Sequence, residues 1–137
     1  MRAAARIGGM QGRAESLMTC TLQAYAPKMG TAVGGLEATI DDPKGLTFGK
    51  VQGLPKDTNL EYVTIAGVER PILRGGLHIP ISAPVPVADT DPKRGWSYVV
   101  TDIGPNDDPA LLGRRYLVVN APAKSYATAR RLDVVQL

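Results

Sequence analysis

One cysteine, one histidine, one tryptophan and one phenylalanine are all that this chain of 137 residues holds of those types, and each scarcity excludes something. Cys20 alone forms no internal disulfide and no cysteine-only metal site. Nucleophilic catalysis needs a base beside its nucleophile, and the one pairing on offer, Cys20 with His78, is disfavoured because strand alternation turns Cys20 inward and His78 outward. No His/Cys cluster has zinc spacing, and Asp102, Asp107 and Asp108 lack the calcium-loop pattern. The adjacent acids Asp41 and Asp42 lie in a Gly/Pro-rich stretch and read as solvated rather than as an acid/base pair. Gly8, Gly9 and Gly12 neither follow a strand nor lead into Gly-Lys-Ser/Thr, so there is no phosphate loop. No apolar run is long enough to span a bilayer, and the N-terminus has no apolar signal region. A chain made in the cytoplasm is expected, away from membranes, without catalytic residues, metal or cofactor.

What is present describes a single globular domain over residues 1–137. The chain is 44% apolar and 21% charged, with 15 glycines and 11 prolines, a composition that favours short strands and many turns. Net charge is +3, well short of a dedicated nucleic-acid reader. The charge is segregated: Arg114, Arg115, Lys124, Arg130 and Arg131 crowd the C-terminal part against Asp133, with Asp102, Asp107 and Asp108 just before them. Such segregation suits complementary faces in an assembly.

Apolar residues at three- and four-residue steps predict an amphipathic helix over 2–18, with Met10 and Leu17 on its apolar face and Arg13 off it. A half-buried strand over 19–25 follows, with Cys20, Leu22 and Ala24 inward. Residues 26–45, rich in Gly and Pro, read as a long loop carrying Lys28, Asp41, Asp42 and Lys44. Strands are expected over 46–54 and 60–66, separated by a turn at 55–59. A tight Ala66-Gly67 turn then leads into 68–82, where Leu73, Gly75, Leu77, Ile79 and Ile81 share one face. Gly75-Gly76 there marks a bulge, and Pro71 and Pro80 an edge position. A Pro-rich link over 83–95, a strand over 96–103, an acidic loop and a closing hairpin of strands 115–120 and 129–136 complete the chain. The expected fold is mainly β: a small antiparallel barrel or sandwich of about six to seven strands, with a leading helix and a long loop after the first strand.

The C-terminal part carries a resemblance. Asp108-Pro109-Ala110-Leu111-Leu112-Gly113-Arg114, the strand Tyr116-Leu117-Val118-Val119, and Pro122-Ala123-Lys124-Ser125-Tyr126-Ala127-Thr128-Ala129-Arg130-Arg131-Leu132 resemble a family of small neck proteins of tailed actinobacterial phages, the head-to-tail connector or stopper proteins. Arg-Ala-Glu-Ser-Leu-Met at 13–18 and Thr-Cys-Thr-Leu at 19–22 extend the similarity, while 26–45 and Trp96 depart from it. The resemblance implies a virion protein in a ring of six or twelve copies that closes the DNA-filled capsid. It implies contacts with the portal or adaptor ring, with the tail terminator or tail tube, and with genomic DNA passing through. On that basis Lys28, Asp41, Asp42 and Lys44 are expected in a channel or inter-ring contact. Arg114, Arg115, Lys124, Arg130 and Arg131 are expected against a neighbour or DNA, and Met10, Arg13 and Leu17 at a subunit boundary. A tail terminator or other tail-side neck ring fits a domain of this size too. An oligonucleotide-binding barrel is the alternative of a different class.

Overall fold

The computed structural model describes residues 17–31, 34, 35, 37–52, 60–122 and 129–137. Six strands form one antiparallel sheet: β1 (Cys20–Thr31), β2 (Glu37–Val51), β5 (Leu73–Pro80), β8 (Ala129–Gln136), β7 (Arg115–Asn120) and β6 (Ser97–Asp102), in that spatial order. Because β6 pairs back to β1 over Thr21–Tyr25, the sheet returns on itself. Among the described residues the seam between β2 and β5 is short, with Lys50 opposite His78, Val51 opposite Leu77 and the Gln52 N–H donating to the Gly76 carbonyl at 2.8 Å. Two short strands, β3 (Tyr62–Ile65) and β4 (Val68–Pro71), make a separate hairpin.

Alternation explains the interior. Cys20, Leu22, Ala24 and Ala26 are buried while the residues between them are half-exposed, the period-2 pattern of a strand with one face on the core. Cys20, Leu22 and Ala24 meet Leu77 and Ile79 from β5, Tyr98 and Val100 from β6, Tyr116 and Val118 from β7, and Leu132 and Val134 from β8. Each fully buried aliphatic side chain here contributes roughly 1.5–3 kcal/mol of transfer free energy. In β7 the alternation breaks, since Tyr116, Leu117 and Val118 are all buried. The reason is the β3–β4 hairpin: Ile65 covers Leu117 and Val135 on the outer side, so this part of the sheet is buried on both faces.

The closing hairpin appears at the expected bounds, and Gly75, at φ 58°, lies in the register shift between Leu73 and Leu77. The turn at Ala66 and Gly67 is present with φ of 50° and 80°, the left-handed pair that joins antiparallel strands tightly. Other expectations need correction. Residues 26–45 are not a loop: β1 continues to Thr31 and β2 begins at Glu37, and the two pair from Ala26 opposite Asp42 to Thr31 opposite Glu37. Pro27 and Pro43 suggested a break, but beyond Tyr25 this hairpin has no outer strand neighbour among the described residues, so a missing N–H there interrupts no outer ladder. Gly45, at φ 105°, takes the kink where the register shifts between Ala24 and Tyr25. The segment 68–82 divides in two and is partly at an edge, as its prolines suggested: Pro71 ends β4 of the two-stranded sheet, and Pro80 ends β5 beyond the residues that pair with β2, while β8 pairs β5 on the other side. Ile81 leaves the apolar face and is exposed just past that end. The helix expected over 2–18 lies outside the described residues except for Leu17 and Met18, which are not helical. The turn expected at 55–59 also lies outside them.

Candidate functional site

The feature that stands out from the sheet is the distal part of the β1–β2 hairpin. Among the described residues β1 is flanked by β6 only over Thr21–Tyr25 and β2 by β5 only at Lys50 and Val51, so the pairs from Ala26/Asp42 to Thr31/Glu37 project from these strands as a two-stranded ribbon. At about 3.4 Å per residue that ribbon is ~17 Å long. Met29 and Ile40 are exposed along it.

The acids and lysines expected on a loop are thus on the ribbon's root, and they are paired. Asp42 faces Lys44 at 2.9 Å and Lys28 at 3.8 Å, and the Lys44 hydrogen bond first, then the charges of both lysines, hold its carboxyl below the usual range. Asp41 points to the other side. Its two oxygens accept from both terminal nitrogens of Arg115, at 2.9 and 2.6 Å. The same Arg115 donates through Nε to Ser97 at 2.9 Å and lies over the Tyr25 ring, 5.3 Å from its centroid. One side chain from β7 therefore touches β6, β1 and β2 in turn. The structure brings together residues placed separately in the hairpin group and the basic group, and adds Tyr25 and Ser97, which carried no signal because each is an ordinary strand residue.

Among the described residues, none of the other basic residues of this group pairs with Asp41. Arg114 lines an open cleft of about 670 Å³ together with Arg70, Glu69 and Asp108. Arg130 sits opposite Ile79 with its Nε buried and unpartnered among the described residues. Arg131 lies opposite His78 on the exposed side of the sheet. Lys124, Met10 and Arg13 fall outside the described residues, and Leu17 is an exposed turn residue at the start of β1.

Cys20 is buried and its thiol lies 3.5 Å from an Asp107 carboxylate oxygen. Burial first, and then the Asp107 charge, push the thiol pKa up, away from nucleophilic reactivity. Asp107 itself is held low, chiefly by hydrogen bonds from Thr19 at 2.5 Å and the Gly104 N–H at 2.7 Å, which fasten the start of β1 to the loop after β6. Among the described residues no three His, Cys, Asp or Glu side chains gather into a metal-holding group, and no helix is long and apolar enough to cross a membrane. A second groove of about 600 Å³ runs between Leu46 and Phe48 of β2 and Pro80, Ala83 and Pro84. Both aromatic and aliphatic side chains on its β2 wall are well exposed.

No curated protein and no solved structure matches this chain. A family model does: residues 10–135 match a family of unknown function, DUF6093, and the chain belongs to that family.

Proposed function

We propose that this DUF6093 member is a structural protein of the phage neck: a small β-barrel subunit of a head-to-tail connector ring of the stopper type, which closes the filled capsid and docks the tail. The observation that carries the reading is the ribbon of β1 and β2, which projects without a flanking strand among the described residues and is braced at its root by two opposed ionic clusters. A projecting, braced hairpin suits a subunit that must reach a neighbouring ring or the channel while its body packs against copies of itself. The resemblance of residues 108–132 to connector proteins supports the same assignment. In this reading the subunit assembles in six or twelve copies between the portal or adaptor ring and the tail, and DNA passes beside it.

The test is immunogold electron microscopy on DNA-filled, tail-less capsids and on free tails. Gold at the vertex of filled heads supports the stopper layer. Gold confined to free tails moves the protein to the tail terminator, and gold on neither rejects a neck protein. Replacing residues 29–39 by a two-residue turn is expected to leave a folded protein and abolish infectious particles; wild-type titre would remove the ribbon from the reading.

A further inference from the structure

Three basic side chains stand in a row across the seam of the sheet. Lys50 on β2 is directly opposite His78 on β5, and His78 is directly opposite Arg131 on β8. Residues directly opposite in an antiparallel ladder point to the same face. Neighbouring strands lie about 4.8 Å apart, so the row spans ~10 Å. Arg131 is exposed, and Lys50 and His78 are half-exposed. At Gly75 an added Cβ would lie 4.0 Å from both the Arg131 side chain and His78 Nε2, which places those two side chains around one small opening.

With a neutral His78 between them, Lys50 and Arg131 stand as like charges two strands apart on one face. An acid among them would relieve this, yet none of the four ion pairs among the described residues involves the row. The charged groups facing His78 are Lys50 from β2 and Arg131 from β8. Asp133, further along β8, is taken up by the Gly75 N–H at 2.8 Å and the Asn120 amide at 3.0 Å. Burial, followed by the Arg131 and Lys50 charges, pushes the His78 pKa down. An anion placed on the row would reverse that direction. Phe48, two residues before Lys50 and so on the same face of β2, is exposed beside it.

We propose that Lys50, His78 and Arg131 form a binding row for the phosphodiester backbone of nucleic acid. The choice of duplex DNA as the carrier of those phosphates rests on the connector reading above; the row itself rests on register and charge. A chain of phosphates meets two fixed cations, with a histidine between them that takes up a proton, better than a single acidic side chain does. Binding releases counterions, so it is salt-dependent. It also draws a proton onto His78, so it strengthens as pH falls.

The test is fluorescence anisotropy of the full chain with a labelled duplex and with the single strand of the same sequence. The variants are Lys50→Gln/Arg131→Gln and, as a control of equal charge change away from the row, Lys93→Gln/Arg94→Gln. The row variant is expected to bind duplex at least tenfold more weakly at low salt and to lower the slope of log K against log salt by about 1.8, two phosphate contacts at about 0.9 each. Lys50→Arg/Arg131→Lys, which keeps both charges, is expected to bind within twofold of wild type. If the double Gln variant does not fold, Arg131→Gln alone, at an exposed position, carries the comparison. Equal loss in the control, or none in the row variant, overturns the site. Wild type is expected to bind more tightly at pH 5.5 than at pH 8, and His78→Gln to lose the difference; a pH-independent wild type removes His78 from the row. A single-strand preference abolished by Phe48→Ala upholds the site and overturns duplex as its source. Wild type that binds neither probe, with gold still at the capsid vertex, overturns the row and leaves the connector reading standing.

Discussion

The Arg115 guanidinium grips the Asp41 carboxylate through two hydrogen bonds, 2.9 and 2.6 Å long, although 74 residues separate them in the chain. The pair ties β7 to the root of the projecting ribbon, passing Ser97 of β6 and the Tyr25 ring of β1 on the way. A two-stranded ribbon has little independent stability in water. Here its base is held to the sheet by a planar, two-pronged contact that a lysine cannot reproduce.

Arg115→Lys and Asp41→Asn are therefore expected to loosen the ribbon while leaving the rest of the sheet folded. For a pair with side chains 33% and 47% exposed, the coupling in a double-mutant cycle should be about 0.5–1 kcal/mol. Amide exchange should speed up at 26–31 and 38–42 and stay unchanged at 132–135. Equal acceleration in both regions would show that the contact stabilises the whole domain rather than the ribbon.

Gly49 marks a close approach at the seam. A Cβ there would lie 2.3 Å from Leu22 Cδ1 and 3.0 Å from the His78 carbonyl oxygen, one a fully buried side chain and the other backbone of the partner strand. Gly49→Ala is expected to destabilise by about 1–3 kcal/mol, as overpacking does. Gly113→Ala meets open space and serves as the comparison for backbone strain alone, at φ 81°. Urea denaturation of both variants gives the two numbers.

Tyr98 is fully buried, and burial pushes its phenol pKa from 10.0 to about 12. Between those values the unfolded chain gives up this proton and the folded chain keeps it. Stability must then fall as pH rises from 10 towards 12. Tyr98→Phe should flatten that part of the curve, and thermal melts between pH 9 and 11.5 would measure it. An unchanged slope would assign the alkaline loss to other groups.

Cys20 should resist a thiol reagent at pH 8 in the native state and react fully in denaturant, because its thiolate is disfavoured by burial and by Asp107. Asp107→Asn removes the charge but not the burial, so native reactivity should rise only slightly. Rapid labelling of the native wild type would contradict the placement of this side chain.

The sequence by itself determined most of the strands and their inward faces. Period-2 alternation in 19–25, the Gly75-Gly76 bulge, the Ala66-Gly67 turn and both strands of the closing hairpin follow from local patterning, since each depends on neighbours one to four residues away. It misled over 26–45, where Gly and Pro indicate a loop only if the strand has neighbours on both sides. The absence of those neighbours beyond Tyr25 is a property of the assembled sheet. The candidate sites were legible only as lists of charges. That Asp41 meets Arg115, that Asp42 meets Lys28 and Lys44, and that Lys50, His78 and Arg131 line up without an ion-pair partner among the described residues were decided by register between strands distant in the chain. Register is set by which residues fill the common core, and charge at the surface follows it. Composition fixes how many cations there are; only the closed pairing of the sheet decides which of them an acid neutralises.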